Sequence, residues 1–230
     1  MSERPDSANR VKPETGKRAK PLGALLGDIR ACRFCVETPK GAPLPHEPRP
    51  VLQASKTARL AIFGQAPGTR VHASGQPFTD PSGDRLRDWL GIGEEVFYDP
   101  ARIAIIPMGF CFPGLDAKGG DRPPRKECAP LWRERLMAAL PNLETMVLVG
   151  QYSQKWHLGE RAKPSLTETV VCWRDYAPRF FPTPHPSWRN NAWLKRHPFF
   201  ETELLLNPGK RFFDGPATAI LLDNLPCRRR

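Results

Sequence analysis

Short apolar runs alternate with longer stretches whose apolar residues recur at helical spacing, and this alternation continues over most of the chain. Four brief runs rich in aliphatic or aromatic residues predict strands at residues 59–63, 102–107, 145–149 and 179–181. Five stretches with helical periodicity predict helices at residues 82–90, 126–140, 151–158, 167–173 and 192–206. We expect Ser82 to cap the first of these helices, Gly91 to end it, and Pro198 to restart the last one.

Strands that alternate with helices predict an α/β fold. We expect a three-layer α/β/α sandwich around a central, mainly parallel four-stranded sheet. Ligands of such sheets bind beyond the carboxyl ends of the strands. The turns at these ends are residues 64–68, 107–113, 150 and 184–187.

The polar and apolar pattern divides the chain into three parts. Residues 1–22 are polar and rich in Pro, Lys and Arg, which predicts a disordered basic leader. Residues 23–206 carry the alternating pattern and predict a single domain. Residues 207–230 predict a flexible basic tail.

The charge of the chain is strongly positive. Its 230 residues carry a formal net charge of +11. Part of this excess lies in the two ends, but the body between them is also basic. Such a surface favours a polyanionic partner, because neutralised phosphates release counterions. A charge that only keeps the protein soluble explains the composition equally well.

The chain has no apolar run near the roughly 20 residues of a membrane helix. Its first 20 residues contain no hydrophobic segment of the secretory kind. We therefore expect a cytoplasmic protein that makes no membrane contact. Disulfides are disfavoured there, so the six cysteines need another explanation.

Four of the cysteines have a spacing suited to a metal site. Cys32 and Cys35 form a pair with a two-residue gap, and Cys111 and Cys128 follow far downstream. Thiolates at this spacing chelate one ion or cluster and tie distant segments together. An iron–sulfur cluster, zinc and no metal all remain open at this point.

Three short motifs carry the chemistry. Gly-Gln-Ala-Pro-Gly occupies 64–68, Gly-Gln-Pro-Phe follows at 75–78 after six residues, and His-Pro-Ser occupies 185–187. Together they resemble the motifs of the uracil-DNA glycosylase superfamily. The first two are most similar to its iron–sulfur branch, family 4, which has G-E-x-P-G, six residues and G-x-P-F. The third resembles the H-P-S of family 1.

The resemblance implies a pocket for a base flipped out of DNA. Phe78 would stack on the base and His185 would stabilise the departing base anion. The turn that frames the base would consist of Gly64, Ala66, Pro67 and Gly68. Gln65 would orient the attacking water.

Three positions depart from the family 4 pattern. Gln65 replaces its glutamate and cannot act as a base. The acidic pair before the second glycine is Val71-His72 here, so His72 and Asp80 become candidates for a catalytic role. Pro107 stands where the branch has an asparagine that reads uracil, which favours a broader substrate set such as deaminated purines.

The resemblance also predicts DNA contacts. The loop after His185 would enter the minor groove, with Trp188 as a wedge and Arg189 on a phosphate or groove edge. Ser187 and Asn190 belong to the same loop. Arg125, in a basic turn before a helix, is a further candidate for phosphate contact, although a solvated turn fits equally well.

Family 4 has four cluster ligands at a closely similar spacing. The resemblance therefore implies a [4Fe–4S] cluster with a structural role. Its ligands would be Cys32, Cys35, Cys111 and Cys128.

These observations favour a monomeric, monofunctional DNA glycosylase in the cytoplasm, at the nucleoid, that excises uracil or a related deaminated base. It would leave an abasic site without strand cleavage. The first alternative is a damaged-DNA or abasic-site binding protein on the same fold, with little turnover. The second is an α/β enzyme that handles a free nucleotide or sugar phosphate at residues 64–68, where the phosphate-loop patterns are missing.

Overall fold

A computed structural model describes residues 20–205. Four strands form one parallel sheet: β1 (Leu60–Phe63), β2 (Ile103–Ile105), β3 (Thr145–Val149) and β4 (Phe180–Thr183). Their order is β2-β1-β3-β4. In the register, Ile62 of β1 lies between Ile105 of β2 and Val147 of β3. The predicted four-stranded parallel sheet is confirmed.

Helices surround this sheet. The five predicted helices begin close to where the pattern places them, and four further helices in the described part of the chain before β2 were not predicted. The helices are α1 (Leu22–Arg30), α2 (Phe34–Glu37), α3 (Thr69–Ser74), α4 (Pro81–Leu90), α5 (Glu94–Phe97), α6 (Cys128–Ala138), α7 (Gln151–Leu158), α8 (Leu166–Val171) and α9 (Asn191–Arg196). Short 3₁₀ turns lie at Gly159–Arg161, Trp173–Asp175 and Trp188–Asn190, and a π-helical turn at Phe200–Leu204.

The strands contribute alternate residues to two separate cores. Ala61 and Phe63 pack in one core with Leu25 of α1 and Leu136 of α6. Leu60 and Ile62 pack in the other with residues of α4, α5, α8 and the π-helical turn. Because side chains alternate across a strand, each run of apolar residues supplies both faces. This arrangement is the predicted three-layer α/β/α sandwich.

The N-terminal end of α4 differs from the prediction. Asp80, rather than Ser82, is the cap: its Oδ1 accepts a hydrogen bond from the backbone N–H of Gly83 at 3.2 Å. The Ser82 hydroxyl also donates to this oxygen, at 2.6 Å. Pro81 takes the first helical position, which needs no free N–H. Gly91 ends the helix in a left-handed conformation, as predicted.

Other boundaries shift by a few residues. The strand predicted at 102–107 is only Ile103–Ile105, whereas β4 continues through Pro182 to Thr183. A proline is tolerated there because β4 lies at the edge of the sheet. The last predicted helix is divided into α9 and the π-helical turn, with the restart near Pro198. Nearly all of the predicted leader and the whole predicted tail lie outside the described residues.

Three side chains from β1, α6 and α7 pack against one another on one side of the sheet. The guanidinium carbon of Arg133, on α6, lies 5.0 Å from the ring centroid of Phe63. The ring of His157, on α7, lies 3.9 Å from Phe63 on centroids. Burial lowers the pKa of Arg133 to about 10. Burial also lowers the pKa of His157 to about 3, and the charge of Arg133 contributes to this second shift. Arg133 therefore stays charged at neutral pH and His157 stays neutral.

His157 makes the fold sensitive to acid. The unfolded chain takes up its proton near the ordinary histidine value of 6.5, whereas the folded chain takes it up only near pH 3. Above pH 6.5 His157 should therefore not change the free energy of unfolding. Between pH 6.5 and pH 3 the free energy of unfolding should decrease as the pH falls, by at most about 1.4 kcal/mol per pH unit from this group. Denaturant unfolding of His157→Leu should show a shallower fall than wild type over this window. Equal slopes in the two proteins would contradict the prediction.

Candidate active site

The turn after β1 lies at the centre of the sheet's carboxyl edge. The carbonyl of Gly64 accepts a hydrogen bond from the N–H of Met108 at 2.9 Å, and the carbonyl of Gln65 accepts from Gly109 at 2.8 Å. The turns after β1 and β2 therefore run side by side. Strand β2 lies on one side of β1 and β3 on the other, so the crevice between β1 and β3 is the switch point where such sheets bind ligands.

Gln65 lies at this switch point. Its amide nitrogen lies 2.6 Å from where a Cβ on Gly150 would be. Gly150 follows β3 directly and has a φ of +83°, a conformation that glycine adopts without strain. Because Gly150 has no side chain, the Gln65 carboxamide can lie between the ends of β1 and β3.

Phe78 lies over the same turn. Its Cζ lies 3.3 Å from where a Cβ on Gly64 would be, so the ring covers the glycine closely. Phe78 has a φ of +56°, which is rare for a residue with a bulky side chain. Its carbonyl accepts a hydrogen bond from the Tyr98 hydroxyl at 3.1 Å and lies against Gly83. The neighbouring elements thus hold Phe78 in a strained conformation with its ring at the predicted base pocket.

His185 follows β4 at the same edge, and other residues hold its loop. The Asn190 amide donates to the carbonyl of His185 at 2.7 Å. Arg85, on α4, donates to the carbonyl of Ser187 at 3.3 Å and to the Asn191 side chain at 2.8 Å. Burial lowers the pKa of the His185 imidazole, and the charge of Asp80 partly opposes this effect. His185 is therefore neutral at neutral pH and offers one N–H donor.

Asp80 links the two parts of the candidate site. It lies two residues after Phe78, caps α4 and is close enough to His185 to influence its charge. The structure thus brings Phe78, Asp80 and His185 to one end of the sheet, with Gly64, Gln65, Ala66, Pro67 and Gly68 on the adjoining turn.

The structure adds a residue that the motifs do not contain. The Asp121 carboxylate oxygen Oδ2 lies 3.1 Å from where a Cβ on Gly68 would be. Asp121 belongs to a loop between β2 and α6 and has no spacing relation to the three motifs. Nothing in the sequence order indicates that this loop reaches the Gly68 turn.

The loop after His185 presents an exposed aromatic. Trp188 is 72% exposed, the highest value among the large apolar side chains described. The guanidinium carbon of Arg189 lies 5.9 Å from its ring centroid. Ser187 accepts a hydrogen bond from the N–H of Arg189, and Asn190 holds the His185 carbonyl, so these two residues shape the loop. The DNA contacts of the loop stay predictions.

His72 has different neighbours. Its ring lies 4.2 Å from that of His46 and 5.8 Å from that of Phe112 on centroids. Burial lowers the pKa of His72, and the charges of His46 and Arg49 act in the same direction. These contacts describe a packed residue on α3, and its catalytic role stays a prediction.

The four predicted ligand cysteines line a single cavity. Its wall consists of Ile29, Cys32, Cys35, Pro48, Pro50, Gly109, Phe110, Cys111, Arg125, Cys128 and Trp132. The cysteines are close enough to influence one another: burial, with the other cysteines contributing, raises the pKa of Cys111 and of Cys128 to about 12. The spacing thus predicts correctly that two distant segments meet here.

Donors and cations surround these thiols. The N–H of Phe110 donates to the Cys128 sulfur at 3.4 Å. Burial raises the pKa of Cys35, and the charge of Arg125 partly opposes this rise. The charge of Cys128 raises the pKa of Arg133, against the larger lowering by burial. Arg125 also donates to the Ala42 carbonyl at 2.6 Å, and its phosphate contact stays a prediction. In residues 20–205, no three His, Cys, Asp or Glu side chains are grouped to hold a single metal ion. Four thiols around one cavity with donors and cations nearby fit a larger, anionic cluster.

A comparison with protein families identifies the fold. The model of the Uracil DNA glycosylase superfamily matches residues 52–206. The chain belongs to this superfamily. The match includes every candidate residue from Gly64 to Asn190 and begins after Cys32 and Cys35. Assignment of this superfamily member to the iron–sulfur branch stays a prediction. No helix in the described part of this glycosylase-superfamily chain has the length and apolar character needed to span a membrane.

Gly83 tests how tightly this site is built. A Cβ on Gly83 would lie 1.8 Å from the carbonyl oxygen of Phe78, so Gly83→Ala must displace the Phe78 backbone. We expect a loss of about 1–3 kcal/mol in the free energy of unfolding. Denaturant unfolding measures it.

The control is Gly27→Ala in α1, where a Cβ meets no atom within 4 Å. This substitution should be neutral or stabilise by up to about 1 kcal/mol. A Gly83→Ala protein as stable as the Gly27→Ala protein would contradict the packing of Phe78 against α4.

Proposed function

We propose that this chain is a DNA glycosylase that hydrolyses the N-glycosidic bond of uracil or a related deaminated base and leaves an abasic site. The observation that carries the proposal is the placement of Phe78 over the Gly64 turn at the same sheet edge as His185. Membership of the superfamily supports it. The predicted monomeric state and cytoplasmic location belong to the same proposal.

The chemistry follows from the two side chains. Flipping a nucleotide costs a few kcal/mol of stacking and pairing. Stacking on Phe78 returns about 1–3 kcal/mol. When the glycosidic bond breaks, its electron pair leaves with the base. The neutral imidazole of His185 donates a hydrogen bond to this anion, and a donor of this kind contributes roughly 10²–10³ in rate.

DNA binding is supported by charge and by the exposed loop. The net charge of +11 favours phosphate contacts. Trp188 is exposed next to Arg189 and can fill the gap that the flipped nucleotide leaves. The proposal assigns the wedge to Trp188 and the backbone contact to Arg189.

The range of bases is proposed to be broad. Pro107 has no side-chain amide to pair with uracil, and its carbonyl accepts a hydrogen bond from the buried Arg133 at 2.7 Å. This position therefore offers little that distinguishes one base edge from another. Uracil, hypoxanthine and xanthine are all candidate substrates.

We further propose that Cys32, Cys35, Cys111 and Cys128 hold a [4Fe–4S] cluster. Such a cluster supplies a rigid anionic centre that joins the segment around α2 to the loop before α6. Arg125 and Arg133 supply positive charge near it. Its role here is structural.

An excision assay tests the function. Oligonucleotides that contain uracil, hypoxanthine or xanthine are incubated with the protein, and abasic sites are revealed by alkaline cleavage. We expect excision of at least one base, with the rate of His185→Ala reduced about 10²–10³-fold. Because the neutral imidazole is the active form, the rate should not fall between about pH 6.5 and 8.

His197→Ala is the control, since His197 packs on Trp193 outside the candidate site. It should keep its excision activity. Tight binding to damaged or abasic DNA without excision of any base would instead support the binding-protein alternative. Excision by His185→Ala at the wild-type rate would contradict the role of His185.

The absorbance of protein purified without oxygen tests the cluster. We expect a brown protein that contains iron and sulfide in equal amounts. Cys111→Ser should lose colour and thermal stability together, because one ligand of the cluster is gone. A colourless protein that contains zinc, or no metal, would overturn the proposed cluster.

A further inference from the structure

Hydrolysis needs a group that accepts the proton of the attacking water. Gln65 cannot accept it, since a carboxamide is not a base at neutral pH. Asp80 uses one carboxylate oxygen to cap α4 and bind Ser82. His72 is packed against His46 and Phe112. A carboxylate close to the Gly64–Gly68 turn that has no such capping role would supply the proton acceptor that Gln65 lacks.

Asp121 is delivered to this turn by a braced loop. Leu115 pairs with Asp121 in an isolated bridge, and the carbonyl of Gly114 accepts from the N–H of Arg122 at 2.9 Å. The Asp116 side chain accepts from the N–H groups of Lys118 and Gly120 at 2.8 and 2.9 Å. These bonds hold the loop in one shape, with Asp121 at its end.

Gly68 leaves space for the Asp121 carboxylate. Its φ of −87° is open to any residue, so backbone conformation does not require glycine here. A side chain would instead crowd Asp121, because a Cβ would lie 3.1 Å from Oδ2. The glycine thus lets the carboxylate approach the turn closely.

The Asp121 carboxylate is not committed to another role. Its side chain is only partly buried and makes no hydrogen bond or ion pair within residues 20–205. Partial burial and the charge of Asp80 raise the pKa of Asp121, with a smaller contribution from Asp116, whereas Arg189 opposes the rise. A carboxylate with a raised pKa is a better proton acceptor at neutral pH. A negative charge at a DNA-binding surface weakens phosphate contact, so DNA binding does not explain the position of Asp121.

We propose that Asp121 is the general base of the glycosylase reaction. The inference rests on the proposed function. The C1′–N bond breaks and its electron pair leaves on the base, which His185 stabilises. The water oxygen forms the new C1′–O bond, and its proton passes to the Asp121 carboxylate. The base anion then takes up one proton, so that one water is consumed for each base released.

Single-turnover excision from a single-stranded oligonucleotide by Asp121→Asn tests this role. The oligonucleotide contains uracil, or another base of the panel if the wild type removes that base instead. We expect the rate to fall about 10²–10⁴-fold. In the wild type, protonation of Asp121 should lower the excision rate as the pH falls. The Asp121→Asn rate should lack this one-proton decrease. Binding to the same oligonucleotide should stay equal or become tighter, because a negative charge near the phosphates is gone.

Asp116→Asn is the matched control. It removes the same charge from the same loop, and its remaining oxygen can still accept the two backbone hydrogen bonds. Its excision rate should stay within a few-fold of wild type. The charge of Arg189 acts on both carboxylates, so the control also accounts for the change in the charge around Arg189.

Several outcomes would overturn the role. An active wild type with an unchanged Asp121→Asn rate and pH profile would refute the general base and leave the glycosylase function intact. A loss confined to one base would show that Asp121 reads the base edge instead. Equal losses in binding and rate would show a structural role. A wild type that excises no base would refute the proposed function itself.

Discussion

The buried cation Arg133 organises one side of the molecule. Its side chain is only 2% exposed, and it donates to the carbonyls of Ile106 and Pro107 at 3.1 and 2.7 Å, directly after β2. A buried charge is tolerated only when it is well bonded, so the chain leaving β2 has to follow this path. The next two N–H groups then bond to the Gly64–Gln65 turn. The position of the candidate pocket therefore depends on a cation on α6.

The pocket itself is shaped by missing side chains. Gly64 leaves space for the Phe78 ring, Gly68 for the Asp121 carboxylate and Gly150 for the Gln65 carboxamide. Gly83 leaves space for the Phe78 carbonyl. Four glycines on three different segments thus allow functional groups to approach the backbone closely. Such approaches hold groups in place without a flexible side chain between them, which suits a site that must be preorganised.

The cysteine cavity and the pocket are joined by Arg49. Its backbone N–H is close enough to the Cys111 thiol to oppose the rise in the thiol's pKa. Its guanidinium donates to the carbonyls of His72 and Ala73 at 2.7 and 2.6 Å. These carbonyls end α3, and the chain then turns at Gly75 towards Phe78. A disturbance at Cys111 would therefore reach the aromatic wall of the pocket. This connection gives the proposed cluster a structural purpose at a distance from the chemistry.

The sequence by itself determined the sheet and the superfamily, and it predicted the turns on which the candidate site lies. Buried parallel strands appear as short apolar runs, and the motifs from Gly64 to Phe78 and at His185 keep a recognisable order. The sequence misjudged the cap of α4, because Ser82 and Asp80 have similar capping chemistry and only the backbone decides between them. Only the tertiary structure placed Asp121 against Gly68, since a loop that follows another strand brings it there. Contacts between segments distant in the chain leave no periodic signal, and the approach of the Asp121 carboxylate to Gly68 is such a contact.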